Sequence, residues 1–335
     1  MTTYDVHAHC APEGLLALFA REGDRYGTEL VDTDKGQAVR FAGGVTTPAL
    51  RPDFDDVAHR LESMDAARVD VQLISSWIDL TGYSLPRDVG VRYARMFNEL
   101  LAQTVAAHAE RFLGLCTVPL QDGAAAADEL RHAVTELGMV GVEIATTVDG
   151  RDLDDPDLEP FWGAAAELRC PVVIHPYVSL AGRGVSRYFL GNLVGNPAES
   201  TIAIAHMIFG GVLDRHPDLR PVLLHGGGFA PWQSGRWDRG YDAVSHLTGK
   251  GGIATRPTEL LERVHFDTVL HDPRVLAMLV QWAGAERVVL GSDYPFPMGD
   301  LTPVDTLDAV ADLADADREL ILGGNVERLL AEVRR

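Results

Sequence analysis

Cysteine is scarce in this 335-residue chain: Cys10, Cys116 and Cys170 stand far apart, with no Cys-x-x-Cys spacing. That disfavours both a thiolate metal site and a disulfide framework, and it suits a reducing cytoplasm. Positive charge is also in short supply, with 29 Lys and Arg against 49 Asp and Glu for a formal charge of −20. No basic face remains to displace the counterions of a nucleic acid. Nor is there an apolar run of the ~18 residues a bilayer demands, or a basic segment and apolar run ahead of Asp5 to act as a signal peptide. The chain reads as soluble and cytoplasmic, with neither membrane nor nucleic acid as a partner. Any acidic substrate must be met by arginines concentrated locally.

What the chain has in abundance is alternation. Hydrophobic residues make up 46%, and short β-branched runs alternate with amphipathic stretches from end to end. Strands are expected at residues 5–9, 69–76, 112–119, 141–147, 171–177, 221–226, 264–269 and 287–293, with helices between them at 53–67, 88–109, 123–137, 157–168 and 198–215. Near-continuous apolar strands are those of a parallel sheet covered by helices, and eight strand–helix units close a (β/α)8 TIM barrel. Residues 1–335 are thus read as one barrel domain. The alternation fails only at 11–52, a Gly-punctuated insertion after the first strand, in which 28–31 can pair with 38–41 as a hairpin. An insertion of that length on the catalytic face reads as a lid or substrate element.

The first strand carries Tyr4-Asp5-Val6-His7-Ala8-His9-Cys10. Side chains alternate along a strand, so the two imidazoles share a face roughly 6–7 Å apart and can converge on one ion. A lone His-x-His serves equally well in a core. Three later strands, however, also end in a potential ligand: His175 in Val172-Val173-Ile174-His175-Pro176, His225 in Leu223-Leu224-His225-Gly226-Gly227-Gly228, and Asp293 in Gly291-Ser292-Asp293-Tyr294-Pro295. The carboxyl ends of barrel strands meet at one mouth. Four imidazoles and a carboxylate without thiolate suit zinc, or with less preference manganese or iron. His59, His108, His132, His206, His216, His246 and His265 fall on helices or away from strand ends, and His271, nearer the mouth, reads as structural.

With these motifs the chain resembles the metal-dependent amidohydrolase superfamily, and within it the decarboxylase branch typified by aminocarboxymuconate semialdehyde decarboxylase. Further carriers of the likeness are Met64-Asp65-Ala66-Ala67-Arg68-Val69-Asp70-Val71-Gln72, Val118-Pro119-Leu120-Gln121-Asp122 and Ser292-Asp293-Tyr294-Pro295-Phe296-Pro297. The resemblance implies that His7, His9, His175 and Asp293 bind one zinc ion per chain. His225 would stand beside the zinc-held water as general base and acid. It implies, too, that Arg51 and Arg236 grip substrate carboxylates, Arg236 by crossing the interface of a homodimer. Glu143 stands where two-metal relatives carry a lysine on the fourth strand, which favours a single metal.

Several residues at the mouth depart from the family pattern. Ser76-Trp77-Ile78-Asp79-Leu80 places an acid and an indole at the rim, and Tyr177 follows His175-Pro176 where tryptophan is expected. Trp77, Tyr177 and Phe296 join the arginines as candidate substrate residues, although Trp77 could equally plug the barrel end and Asp79 could cap a turn. The expected reaction is loss of CO2 from an unsaturated or aromatic carboxylate, with a proton delivered to the carbon left behind. Hydrolysis of an ester, lactone or amide, or hydration of an alkene, needs the same ligand set and stays open.

Overall fold

The computed structural model describes residues 1–177, 184–244, 246, 248 and 253–334. Its strands are β1 (Tyr4–Cys10), β2 (Thr28–Thr33), β3 (Gly36–Phe41), β4 (Val71–Ser76), β5 (Phe112–Cys116), β6 (Gly141–Ala145), β7 (Pro171–His175), β8 (Arg220–Leu223), β9 (His265–Asp267) and β10 (Val288–Val289). All but β2 and β3 belong to one parallel sheet of eight strands, in the order β1-β4-β5-β6-β7-β8-β9-β10. The sheet curls until its ends meet. Val6 N–H donates to the Leu290 carbonyl at 2.9 Å, Asp293 N–H to His7 at 2.7 Å and His9 N–H to Tyr294 at 2.8 Å. This is the (β/α)8 barrel expected from the sequence. Among the described residues, no helix is long and apolar enough to cross a membrane.

Val6, Leu73, Leu115, Val173, Val222 and Val289 fill the barrel floor, and Val326 and Leu329 of the helix Asn325–Ala331 plug it from below. Each such side chain contributes roughly 1.5–3 kcal/mol by leaving water. The pairing of β1 with β4 slips within this layer: Asp5 faces Gln72, but Ala8 faces Ile74, so β1 holds one extra residue. A bulge of that kind re-aims side chains. It lets Val6 join the apolar floor while His7 and His9 both reach the mouth.

Most strands stop short of the limits expected from apolar runs, as β10 does at Val289 rather than at 293. After β8 and β10 the physical reason lies in the backbone at the mouth, where His225 and Asp293 adopt φ of 53° and 60°, outside the range of a strand. The single helix expected over 198–215 is two, Asn196–Phe209 and Val212–Arg215, separated where Gly211 takes φ 77°. The segment 11–52 holds the expected hairpin, with Thr28 opposite Phe41 and Val31 opposite Ala38, and also an unexpected helix, Leu15–Glu22. Ala38, Val39 and Phe41 are buried, and Phe41 meets Tyr93 edge-on at 5.6 Å, so the hairpin is packed on the barrel.

Candidate active site

His7, His9, His175 and Asp293 arrive from β1, β7 and the turn after β10, and each offers a ligand atom within 4.8 Å of the others'. All four are buried. The Nε2 atoms of His7 and His9 lie 3.2 and 3.3 Å from Asp293 Oδ1. Among the described residues, none of these three atoms has a hydrogen-bond partner. Buried polar atoms are nearly always satisfied, so three orphans aimed at one spot fit a divalent cation. Second contacts orient the rings: His7 Nδ1–H donates to Asp267 Oδ2 at 2.7 Å and His175 Nδ1–H to the Pro176 carbonyl at 2.8 Å. Each fixes its ring so that Nε2 faces the cluster and can coordinate once it gives up any proton. Three nitrogens and an oxygen suit zinc, manganese or iron, and a metal could bind here.

Charge follows the same geometry. Burial disfavours the imidazolium of His7, yet Asp293 and Asp267 on either side hold its pKa well above the ordinary value. Burial likewise opposes ionisation of Asp293, but the surrounding His7, His225 and His9 keep it well below the usual carboxylate range. His175 has burial and three neighbouring imidazoles against its cation, and its pKa falls well below normal.

His225 begins the run His225-Gly226-Gly227-Gly228, in which every residue has positive φ. At Gly228 a Cβ would stand 2.1 Å from the Pro197 carbonyl oxygen, so only glycine fits there. The turn points His225 Nε2 at Asp293 Oδ2, 3.5 Å away, and its Nδ1 is buried without a partner among the described residues. His225 therefore stands beside the four-residue group, within reach of anything bound there.

A hidden network fixes the backbone beneath. Asp5 accepts from Ser292 Oγ at 2.6 Å, Gln72 Nε2 at 2.9 Å and the amides of His7 and Ser292, both at 3.0 Å. Buried Arg60 bonds Gln72 at 3.1 Å and the His9 carbonyl at 2.5 Å, and lies 4.6 Å over the ring of Tyr294. The histidine strand and the Asp293 turn are thus clamped to one another through buried hydrogen bonds.

A cavity of about 660 Å³ opens in front of these residues, a size suited to a small ligand. Arg51, Trp77, Tyr177 and Phe296 line it, as do His175 and Asp293. Trp77 stacks on Phe54 at 5.1 Å, and Phe296 meets Phe54 and His9 edge-on at 5.5 Å each. Trp77 thus both closes the barrel end and walls the cavity. Arg51 donates to Asp53 at 2.6 Å, while its Nε is buried with no partner among the described residues. Arg236 is not brought in: it is exposed on the helix Ala230–Ala243 and absent from the cavity wall. His225 and His271 both line a neighbouring cavity of about 370 Å³.

Asp267 is the residue that sequence reasoning missed. It is fully buried, and besides His7 it accepts from the amides of Gly226 at 2.7 Å and Val269 at 3.3 Å. An acid inside the apolar run of the seventh barrel strand was the available signal. Asn192 and Asn196, which also line the main cavity, gave none. A second group, Asp152, Asp154 and His206, lies nearer the surface, with the imidazole between carboxylates at 3.4 and 2.9 Å as in an ordinary ion pair.

Known proteins align with this arrangement along nearly the whole chain. The amidohydrolase family model matches residues 4–331. The 2-amino-3-carboxymuconate-6-semialdehyde decarboxylase of Dictyostelium discoideum is 35% identical over 97% of this chain and 90% of its own. A gamma-resorcylate decarboxylase of Rhodococcus jostii is 30% identical over 73% of this chain and 78% of its own. The crystal structure of 5-carboxyvanillate decarboxylase from Sphingomonas paucimobilis superposes with a TM-score of 0.83 at 25% identity, covering 99% of both chains. With its barrel and clustered polar mouth already in view, the chain belongs to the amidohydrolase family, in the branch whose members include these decarboxylases.

Proposed function

We propose that this protein is a metal-dependent carboxy-lyase that removes CO2 from a small aromatic or unsaturated carboxylate. His7, His9, His175 and Asp293 would hold one ion per chain, with zinc preferred to manganese or iron for its fit to three imidazoles and a carboxylate. The observation that carries the reading is the convergence of unpartnered His7 Nε2, His9 Nε2 and Asp293 Oδ1 beside His225, at a cavity that also holds an arginine and stacked rings. When bound, such an ion supplies Lewis acidity and a fixed positive charge for the substrate's anionic oxygens.

The protein's own groups do the rest. Arg51 offers its unpaired Nε to a carboxylate, and the Phe54, Trp77 and Phe296 rings flank a flat conjugated body while excluding water. Tyr177 bounds the same space. His225 delivers a proton to the carbon that bears the leaving carboxylate. The C–C bond then breaks, CO2 departs, its electron pair returns to the conjugated system, and His225 is reprotonated from solvent. The segment 11–52 acts as the substrate element of this single domain, since Pro48, Ala49 and Arg51, close to its end, line the cavity.

The same reading makes the protein a homodimer, in which Arg236 of each chain serves the other's substrate. Leu193, Phe229 and Trp232 are 51%, 41% and 37% exposed while lining the cavity beside His225, an apolar opening that a second copy would cover. Arg236 lies one helical turn beyond Trp232. Three buried free thiols fit a reducing cytoplasm. The experiment is a CO2-release assay on muconate semialdehydes and hydroxybenzoates, with esters, lactones and conjugated alkenes alongside. Release of CO2 supports the proposal; turnover confined to hydrolysis or hydration rejects it.

A further inference from the structure

Two cavities meet at Asp79. The main one and a smaller one of about 240 Å³, bounded on its far side by Phe41 and Val45, share Ile78, Asp79 and Tyr177 in their walls. Asp79 sits in the short turn Ile78–Leu80, where a capping role was the obvious expectation. The turn closes without it. Leu80 N–H bonds the Trp77 carbonyl at 2.7 Å, and the amide and hydroxyl of Thr81 bond the Ile78 carbonyl at 3.3 and 2.9 Å. Among the described residues, the Asp79 carboxylate receives only its own backbone N–H. A carboxyl group largely withdrawn from water normally finds donors.

Three other acids at the mouth each face a donor or an imidazole. Asp53 takes Arg51 at 2.6 Å, Glu143 takes the Ser75 hydroxyl at 2.8 Å, and Asp293 stands among imidazoles. Among the described residues, Asp79 thus has no side-chain donor, and it stands in the wall of a cavity that also holds an arginine. Burial raises its pKa to about 6, which leaves it mainly ionised at neutral pH.

We propose that Asp79 sets substrate specificity by accepting a hydrogen bond from a hydroxyl or amino group that the substrate carries away from its reacting carboxylate. This rests on the carboxylate-binding reading of the main cavity and adds a polarity to it. The acid of the substrate goes to Arg51, its donor group goes to Asp79, and a second carboxylate in place of the donor is repelled.

The test is calorimetric binding of benzoate, the isomeric hydroxy- and aminobenzoates, and the methoxybenzoates, which lack the donor, to metal-loaded full-length protein. Wild type binds at least one hydroxy or amino isomer about tenfold or more tighter than its methoxy counterpart, the worth of a hydrogen bond to a charged group. In Asp79→Ala that ratio falls to within about twofold while benzoate affinity holds or improves. Asp79→Asn, an acceptor without charge, lies between. Absence of any preference in wild type, or a preference that survives Asp79→Ala, overturns the inference. So does equal weakening of every ligand together with a lowered melting temperature, which is the mark of a structural role. Parallel CO2 assays keep the two readings apart. Discrimination that depends on Asp79 without CO2 release from any compound upholds the inference and removes the carboxy-lyase; CO2 release with discrimination unchanged in the variants does the opposite.

Discussion

Asp267→Asn replaces one oxygen by an NH2 group at nearly constant volume, and it should loosen the metal without unfolding the barrel. Both carboxylate oxygens of Asp267 accept: Oδ2 from His7 Nδ1 at 2.7 Å, Oδ1 from Gly226 N–H at 2.7 Å and Val269 N–H at 3.3 Å. An amide has one acceptor to offer. If its NH2 faces His7, the ring must move its proton to Nε2, the atom aimed at the ion. If its NH2 faces Gly226, two donors collide in the turn that carries His225. Either arrangement leaves a buried group unsatisfied at about 1–3 kcal/mol, and loss of such an orienting partner typically costs about 10–100-fold in metal affinity. Competition against a chelator of known zinc affinity measures this directly, with the thermal midpoint of the metal-free variant as a control for folding. A zinc affinity within about twofold of wild type, in a folded variant, would refute the idea that Asp267 holds His7 in its coordinating tautomer.

Arg51→Ala should raise KM about 10-fold or more by removing a charge-assisted contact, while the metal content stays at the wild-type level; unchanged steady-state kinetics would remove Arg51 from the site. His225→Ala should keep its metal and lose about 10²–10⁴ in kcat, as expected for a proton-transfer group, and near-normal turnover would refute that role. Stability should also fall in acid through His265, whose pKa burial and then Arg220, Arg328 and Arg287 press down to about 4. Between pH 6.5 and 4 the unfolded chain takes up a proton that the folded chain refuses. Stability is therefore intact above that window and falls by about 3 kcal/mol at most across it. Denaturant melts at pH 7 and 4.5 should show a smaller loss for His265→Gln than for wild type.

The barrel was legible because parallel strands covered on both faces leave long apolar runs, and the histidines were legible because their spacing matches the pleat. Local sequence could not reveal what depends on distant pairing. The bulge in β1 exists only against β4, and Asp267 gains its meaning only when the barrel closes and brings its carboxylate on β9 to the His7 ring, with β10 between the two strands. The helix Leu15–Glu22, eight residues long between Gly14 and Gly23, is too brief for periodicity to separate it from the Gly-punctuated segment around it. Arg236 is a different case. Its side chain is exposed on a single chain, so any role in the cavity depends on a second copy. Asp79 drew notice as an acid at the rim, but that its turn closes without it emerges only from the backbone bonds.

The central claim is that three imidazoles and one carboxylate hold a single ion on which turnover depends. Elemental analysis of active protein, repeated after chelation and on His9→Ala, tests it most directly. The account predicts about one equivalent of a divalent transition metal per chain. It also predicts that metal and CO2 release are lost together on chelation and in the variant, and that readdition restores both to wild type alone. Metal-free protein with full turnover, or a variant that keeps both metal and activity, would contradict it.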